Sequence, residues 1–181
     1  MLETRSERLK LVALDARLAG LQSRAPAAFF EALGVQSEAS WPPELMDQAA
    51  MDWCEAELKA RPEQNGWYFW AFIWPGFAGG MDRLVGGGGF KGAPDKDGRV
   101  EIGYSMLVSF REQGLATEAV EALIDWAFAT GQVSEVIAET LPPLIASHRV
   151  LEKTGFVETG TREEDGVTIV RYALRREKAA A

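Results

Sequence analysis

Apolar and polar positions alternate with period two in Glu7–Leu14 (ERLKLVAL), which predicts a first strand. Asp15 offers an N-cap oxygen to ARLAGLQSR, a short run with helical apolar spacing. Turn formers interrupt the pattern at Gly34–Pro43, and ELMDQAAMDWCEAELKAR, residues 44–61, resumes helical spacing. Three strand patterns follow at Trp67–Trp74, Arg83–Gly92 and Arg99–Leu107, and the short links between them imply antiparallel pairing. From Leu115 to Thr130 the residues Val120, Leu123, Ile124, Ala127 and Phe128 share one helical face, with Glu118, Glu121 and Asp125 opposite and Gly131 as the stop. A strand at Ser134–Thr140 precedes a helix that opens with Ser147 as N-cap and closes at Gly155. Two final strands, Phe156–Gly166 and Val167–Arg176, meet in a hairpin at Asp165-Gly166. The order βααβββαβαββ predicts an α/β domain with a mixed sheet over residues 1–175 and a frayed tail at 176–181.

Composition narrows the function classes. The 181 residues are 47% hydrophobic, enough for one core without disulfide or metal staples. A single cysteine, Cys54, excludes an intrachain disulfide, and no paired Cys/His spacing suggests a metal, which fits a reducing cytoplasm. The first residues lack the apolar run of an export signal, and the most apolar window, Trp67–Met81, is too short and too rich in Pro and Gly to span a membrane. A formal charge of -8 argues against nucleic acid or an anionic lipid surface and favours a cationic partner.

Two glycine patterns carry different weight. Gly87-x-Gly89-x-x-Gly92 matches a dinucleotide fingerprint in letters only, because no helix follows to aim N–H groups at a pyrophosphate. These glycines are expected to admit a bulge or a close backbone neighbour. Arg111-Glu112-Gln113-Gly114-Leu115-Ala116, by contrast, joins a strand to an amphipathic helix. Its small side chains leave the first helical N–H groups open to an anion, and the missing Lys-Ser/Thr rules out a Walker loop. A diphosphate held by main chain without metal is one reading, and a plain tight turn is the other.

On these residues the chain resembles the GNAT superfamily of N-acetyltransferases, in the branch of the ribosomal-protein N-terminal acetyltransferases. Arg111-x-x-Gly114-x-Ala116 is similar to the family's Q/R-x-x-G-x-G/A loop. VEIGYSM at Val100–Met106 resembles the preceding strand, SHRVLEKTGF at Ser147–Phe156 the last helix, and TRSERLKLVAL the branch's opening segment. The resemblance implies a mixed, mostly antiparallel sheet flanked by helices on both faces. It also implies acetyl-CoA between the strand ending near Val108 and the strand around Ile137. Met106, Leu107 and Val108 would pair with the pantetheine arm, and Arg111, Gln113, Gly114, Leu115, Ala116 and Thr117 would cradle the diphosphate. Two positions depart from the family pattern: Leu144 stands where an Asn often bonds the cofactor, and Leu151 where many relatives have a proton-donating Tyr.

The implied reaction is direct attack of a neutral amine on the thioester, with an N–H near Leu107 or Val108 facing the oxyanion. Glu101 is the first candidate for the base and Glu139 the second; both could equally be structural carboxylates. Ser147 is a candidate donor to the departing thiolate, and a plain N-cap is the reading its position favours. His148 reads as a surface residue and Cys54 as a buried thiol. Of six tryptophans most are expected in the core, with Trp41 and Trp53 in the segment that shapes the acceptor pocket. The acceptor class is a small amine or a protein N-terminus, the chain a monomer or homodimer. A cofactor-binding module without catalysis, or a scaffold that keeps only the fold, are the competing readings.

Overall fold

The computed structural model describes residues 1–44 and 46–176. Among these residues eight strands form one sheet in the order β1-β2-β3-β4-β5-β6-β8-β7. They are β1 (Glu3–Arg5), β2 (Lys10–Ala13), β3 (Phe69–Trp74), β4 (Arg83–Phe90), β5 (Arg99–Met106), β6 (Glu135–Thr140), β7 (Val157–Glu164) and β8 (Val167–Arg175). Every neighbouring pair is antiparallel except β5 and β6. Among the described residues there are five α-helices: α1 (Ala16–Arg24), α2 (Pro26–Leu33), α3 (Gln48–Ala60), α4 (Leu115–Ala129) and α5 (Ile145–Lys153).

Period-two alternation sorts the side chains into two cores. Leu11, Ala13, Trp70, Phe72 and Val85 point to the face covered by α4 and α5, where Leu115, Ala119, Val120, Leu123, Ile124 and Leu151 meet them. Their neighbours Val12, Leu14, Ala71, Ile73 and Leu84 point to the other face, against Leu18, Phe29, Phe30, Leu33, Cys54 and Leu58 of α1–α3. Helices therefore flank both faces, as the resemblance implies. Trp67, Trp70, Phe90 and Trp126 form an aromatic cluster on the α4 side, with Trp67 and Trp126 centroids 4.7 Å apart. The turn at Asp165-Gly166, with φ of 50° and 79°, is the two-residue hairpin that the sequence predicts.

Some expectations need correction. The strand expected over Glu7–Leu14 begins only at Lys10, because Ser6–Leu9 form a turn closed by the Ser6 N–H to the Leu9 carbonyl at 2.9 Å. A short strand precedes that turn. Helix α2 has no counterpart in the sequence reading: its first residue is a Pro, its N-cap Ala25 supplies no side-chain bond, and its apolar residues show no clear stripe. Helix α3 starts at Gln48, where Asp47 caps the Ala50 N–H at 2.8 Å; Leu45, within the expected helix, lies outside the described residues, as does the tail after Arg176. Ser147 is not an N-cap, since α5 begins at Ile145 and Leu144 takes the capping position without a side-chain bond.

The glycines of β4 behave as expected for close neighbours. A Cβ on Gly89 would lie 1.8 Å from the Tyr68 carbonyl oxygen, and one on Gly88 2.5 Å from the Gly103 oxygen.

Candidate active site

The site arises where the single parallel pair comes apart. β5 and β6 pair only from Arg99↔Glu135 to Ile102↔Ala138. Beyond that rung Gly103–Met106 continue along β4, while Glu139 and Thr140 continue along β8. The two strands thus diverge, and a cleft of about 510 Å³ opens at the fork.

Main-chain alternation decides which groups face the opening. The Lys91 N–H donates to the Glu101 carbonyl at 2.9 Å and the Leu107 N–H to the Val85 carbonyl at 3.0 Å, so odd-numbered residues of β5 bond towards β4. The groups of Tyr104 and Met106 turn the other way, towards the side that β6 has left. The Met106 carbonyl accepts from Arg111 Nε at 3.1 Å. The Leu107 N–H is committed to β4, and Val108 begins an exposed turn.

After that turn the chain enters α4 without a capping side chain. Gly114 stands at the N-cap with φ of 78° and ψ of 0°, and Glu112 also has positive φ, at 61°. The Glu118 N–H closes on the Gly114 carbonyl at 3.1 Å, so the N–H groups of Leu115, Ala116 and Thr117 lie before the first intrahelical bond. Their direction, the helix dipole and the missing side chain at Gly114 suit an anion. Gln113 and Gly114 are exposed, and Ala116 and Thr117 half-buried.

Two arginines flank this turn. Arg111 donates from Nη2 to Glu44 at 2.8 Å. Arg8, which the sequence reading missed, donates from Nε to Glu118 at 2.8 Å and from Nη1 to the Gln113 carbonyl at 3.1 Å. The Glu118 carboxyl also accepts from the Ser6 hydroxyl at 2.6 Å and the Arg8 N–H at 2.5 Å. Burial alone would raise its pKa, but these donors outweigh burial and hold it below the ordinary value. The only sequence signal for this contact is the TRSERL stretch itself, whose partner is 110 residues away.

The two candidate bases differ. Glu139 accepts from Arg162 Nε at 3.0 Å and Nη2 at 2.7 Å, and Arg171 Nε lies 3.2 Å away. The Arg162 hydrogen bonds are the main reason its carboxyl is held below the usual range. Glu101 pairs with Lys91 across the β4–β5 ladder. Lys91, Glu139 and Arg162 line the cleft at its polar end.

The remaining walls come from both faces of the sheet. Met46, Met51, Trp53, Tyr68 and Phe69 form an apolar wall with the α3 side. On the α5 side Tyr104, Thr140, Leu144, Ser147 and Leu151 line it. The Tyr104 hydroxyl donates to the Ser147 carbonyl at 3.3 Å, and burial pushes its pKa upward. Trp53 is in the wall, while Trp41 packs on Phe29 and Phe69. His148 is half-buried rather than exposed: Nδ1 lies 2.8 Å from the Tyr172 hydroxyl and Nε2 3.1 Å from the Leu141 carbonyl. Cys54 is buried, as the sequence suggests, and is among the residues lining the cleft.

Comparisons with known proteins give the family and the fold. Residues 17–157 match the family described as Acetyltransferase (GNAT) domain. The uncharacterized N-acetyltransferase YjdG of Bacillus subtilis (strain 168) is 31% identical over 157 residues, covering 87% of this chain and 89% of that protein. Among solved structures, the ribosomal-protein-S5-alanine acetyltransferase of Vibrio fischeri superposes with a TM-score of 0.67 at 15% identity, over 97% of each chain. RimL, a ribosomal L7/L12 alpha-N-protein acetyltransferase in complex with coenzyme A, does so with a TM-score of 0.66 at 16% identity, over 94% of this chain and 95% of that one. Both structures share the fold. The match over most of its length and the kinship with YjdG place the chain in the GNAT acetyltransferase family, and it is an N-acetyltransferase.

Proposed function

We propose that the chain moves the acetyl group of acetyl-CoA directly to a primary amine, a peptide or protein N-terminal α-amine or a small cationic amine, in a ternary complex. The observation that carries this reading is the fork after Ile102↔Ala138 followed by the uncapped start of α4. Acetyl-CoA would supply an activated thioester.

The residues fit that donor. Free N–H groups at Gly114–Thr117 suit a diphosphate, with Arg8 and Arg111 as nearby cations. The Met106 and Tyr104 main chain, left by β6, suits the amides of an extended arm. Because the Leu107 N–H bonds Val85, the oxyanion donor in this reading is the Met106 N–H.

A neutral amine is required, and the chemistry sets how much help it needs. At pH 7 an α-amine of pKa about 8 costs roughly 1.4 kcal/mol to deprotonate, against roughly 4.6 kcal/mol for a lysine. Glu101 is the proposed base, acting through water, because among the described residues it pairs with Lys91 alone whereas Glu139 is gripped by two arginines. Ser147 and Tyr104 line the cleft and are the hydroxyls assigned in this reading to the departing thiolate. A cytoplasmic location fits the reduced Cys54 and the acidic charge.

Calorimetric titration with acetyl-CoA, followed by a thiol-release assay over peptides and small amines, tests the proposal. Saturable binding and release with α-amines support it. Binding without release across the whole panel overturns it.

A further inference from the structure

Among the described residues three buried side-chain atoms have no hydrogen-bond partner: Trp41 Nε1, Asn65 Oδ1 and Thr140 Oγ1. Of these residues only Thr140 lines the cleft. It is the last residue of β6, two positions beyond the final rung shared with β5, and is 7% exposed. Its backbone is fixed by pairing with Val170 of β8. Alternation along β6 sets its side chain on the face of Val136 and Ala138, the α5 side, opposite to Glu139. Tyr104, Leu144 and Ser147 line the same part of the cleft.

An unpartnered buried hydroxyl costs about 1–3 kcal/mol, and native folds keep few such groups. A valine of the same shape would avoid that cost. A partner from outside the chain that reached this hydroxyl would remove that cost. At Leu144 and Leu151, beside it in the cleft wall, the side chains carry no polar atom at all.

We infer that the Thr140 hydroxyl is a ligand-binding group that hydrogen-bonds an amide of the acyl-CoA pantetheine arm at the fork of the sheet. This rests on the reading of the cleft as the acyl-CoA site. The hydroxyl can donate to an amide carbonyl or accept from an amide N–H, and pairing it removes the penalty that the free protein carries. Ligand affinity at this position is thus set against stability of the free fold.

The opposed signs make the test. Thr140→Val, which keeps the shape, is expected to raise the midpoint of thermal unfolding of the free protein or leave it unchanged. The same variant should weaken coenzyme A about 3- to 10-fold in calorimetric titration, with Thr140→Ser restoring most of it. Adenosine 3′-phosphate 5′-diphosphate, which lacks the pantetheine arm, should bind variant and parent alike. A lower unfolding midpoint for Thr140→Val shows a hydroxyl that serves the fold and overturns the inference. So does equal loss for both ligands, or unchanged affinity for coenzyme A. If the parent protein itself fails to bind coenzyme A, the reading of the cleft falls, and the inference with it.

Discussion

Glu139 and Arg162 meet through two parallel hydrogen bonds of 3.0 and 2.7 Å across the end of the cleft, and Arg171 closes on the same carboxylate. A fork-to-fork pair of this kind fixes both side chains and keeps the acid ionised. The folded pKa of Glu139 is depressed, so its contribution is fully present above the unfolded value of about 4.3 and is lost as pH falls through the lower folded value. Glu139→Gln should lower stability by about 1–2 kcal/mol at pH 7. Chemical unfolding at pH 7 and pH 3 should show the gap from the parent narrowing at the lower pH.

Glu101 has a different expected signature. As base for an amine it matters most where the amine is protonated, so Glu101→Gln should slow acetyl transfer more at pH 7 than at pH 9. Equal loss at both, measured by thiol release, would show that the Lys91 pair serves structure alone.

Gly89 has backbone where a side chain would be. Its φ is 153°, and an added Cβ would overlap the Tyr68 carbonyl at 1.8 Å. Gly89→Ala should cost at least about 2–3 kcal/mol by displacing β3 from β4. An unfolding midpoint equal to the parent's would contradict the close approach.

Cys54 should be chemically quiet although it touches the cleft. Burial pushes its thiol up to about 11. At pH 7.5 that leaves about 300-fold less thiolate than a free cysteine of pKa about 8.5 provides. Alkylation by iodoacetamide should be slower by a comparable factor, and a rate near that of free cysteine would show an open thiol.

The contrast between these groups explains what the sequence made legible. Strand alternation and the α4 stripe are local, so most elements and the hairpin at Asp165-Gly166 could be expected from neighbouring residues, whereas the opening between β5 and β6 was implied only by the family resemblance. Arg8 beside Gln113, Arg162 on Glu139 and Tyr104 on Ser147 join residues 105, 23 and 43 positions apart, and no local period encodes them. The N-cap expected at Ser147 failed locally: the helix begins at Ile145, two residues earlier, and Ser147 lines the cleft instead of capping. Helix α2 was missed for a local reason, since it has neither a capping side chain nor a polar face distinct enough to read.

The short parallel seam has a mechanical consequence. Five strands on one side and three on the other are each knit by long antiparallel ladders, yet the two blocks share only four rungs. Such a sheet behaves as two stiff leaves on a narrow hinge, and its least costly deformation is to swing the leaves apart or together. Sub-ångström flexing at Ile102 and Ala138 would then be magnified towards Met106 and Thr140, and the restoring force would come from the buried layer that joins Val100 and Ile102 to Val136, Ala138 and Tyr172.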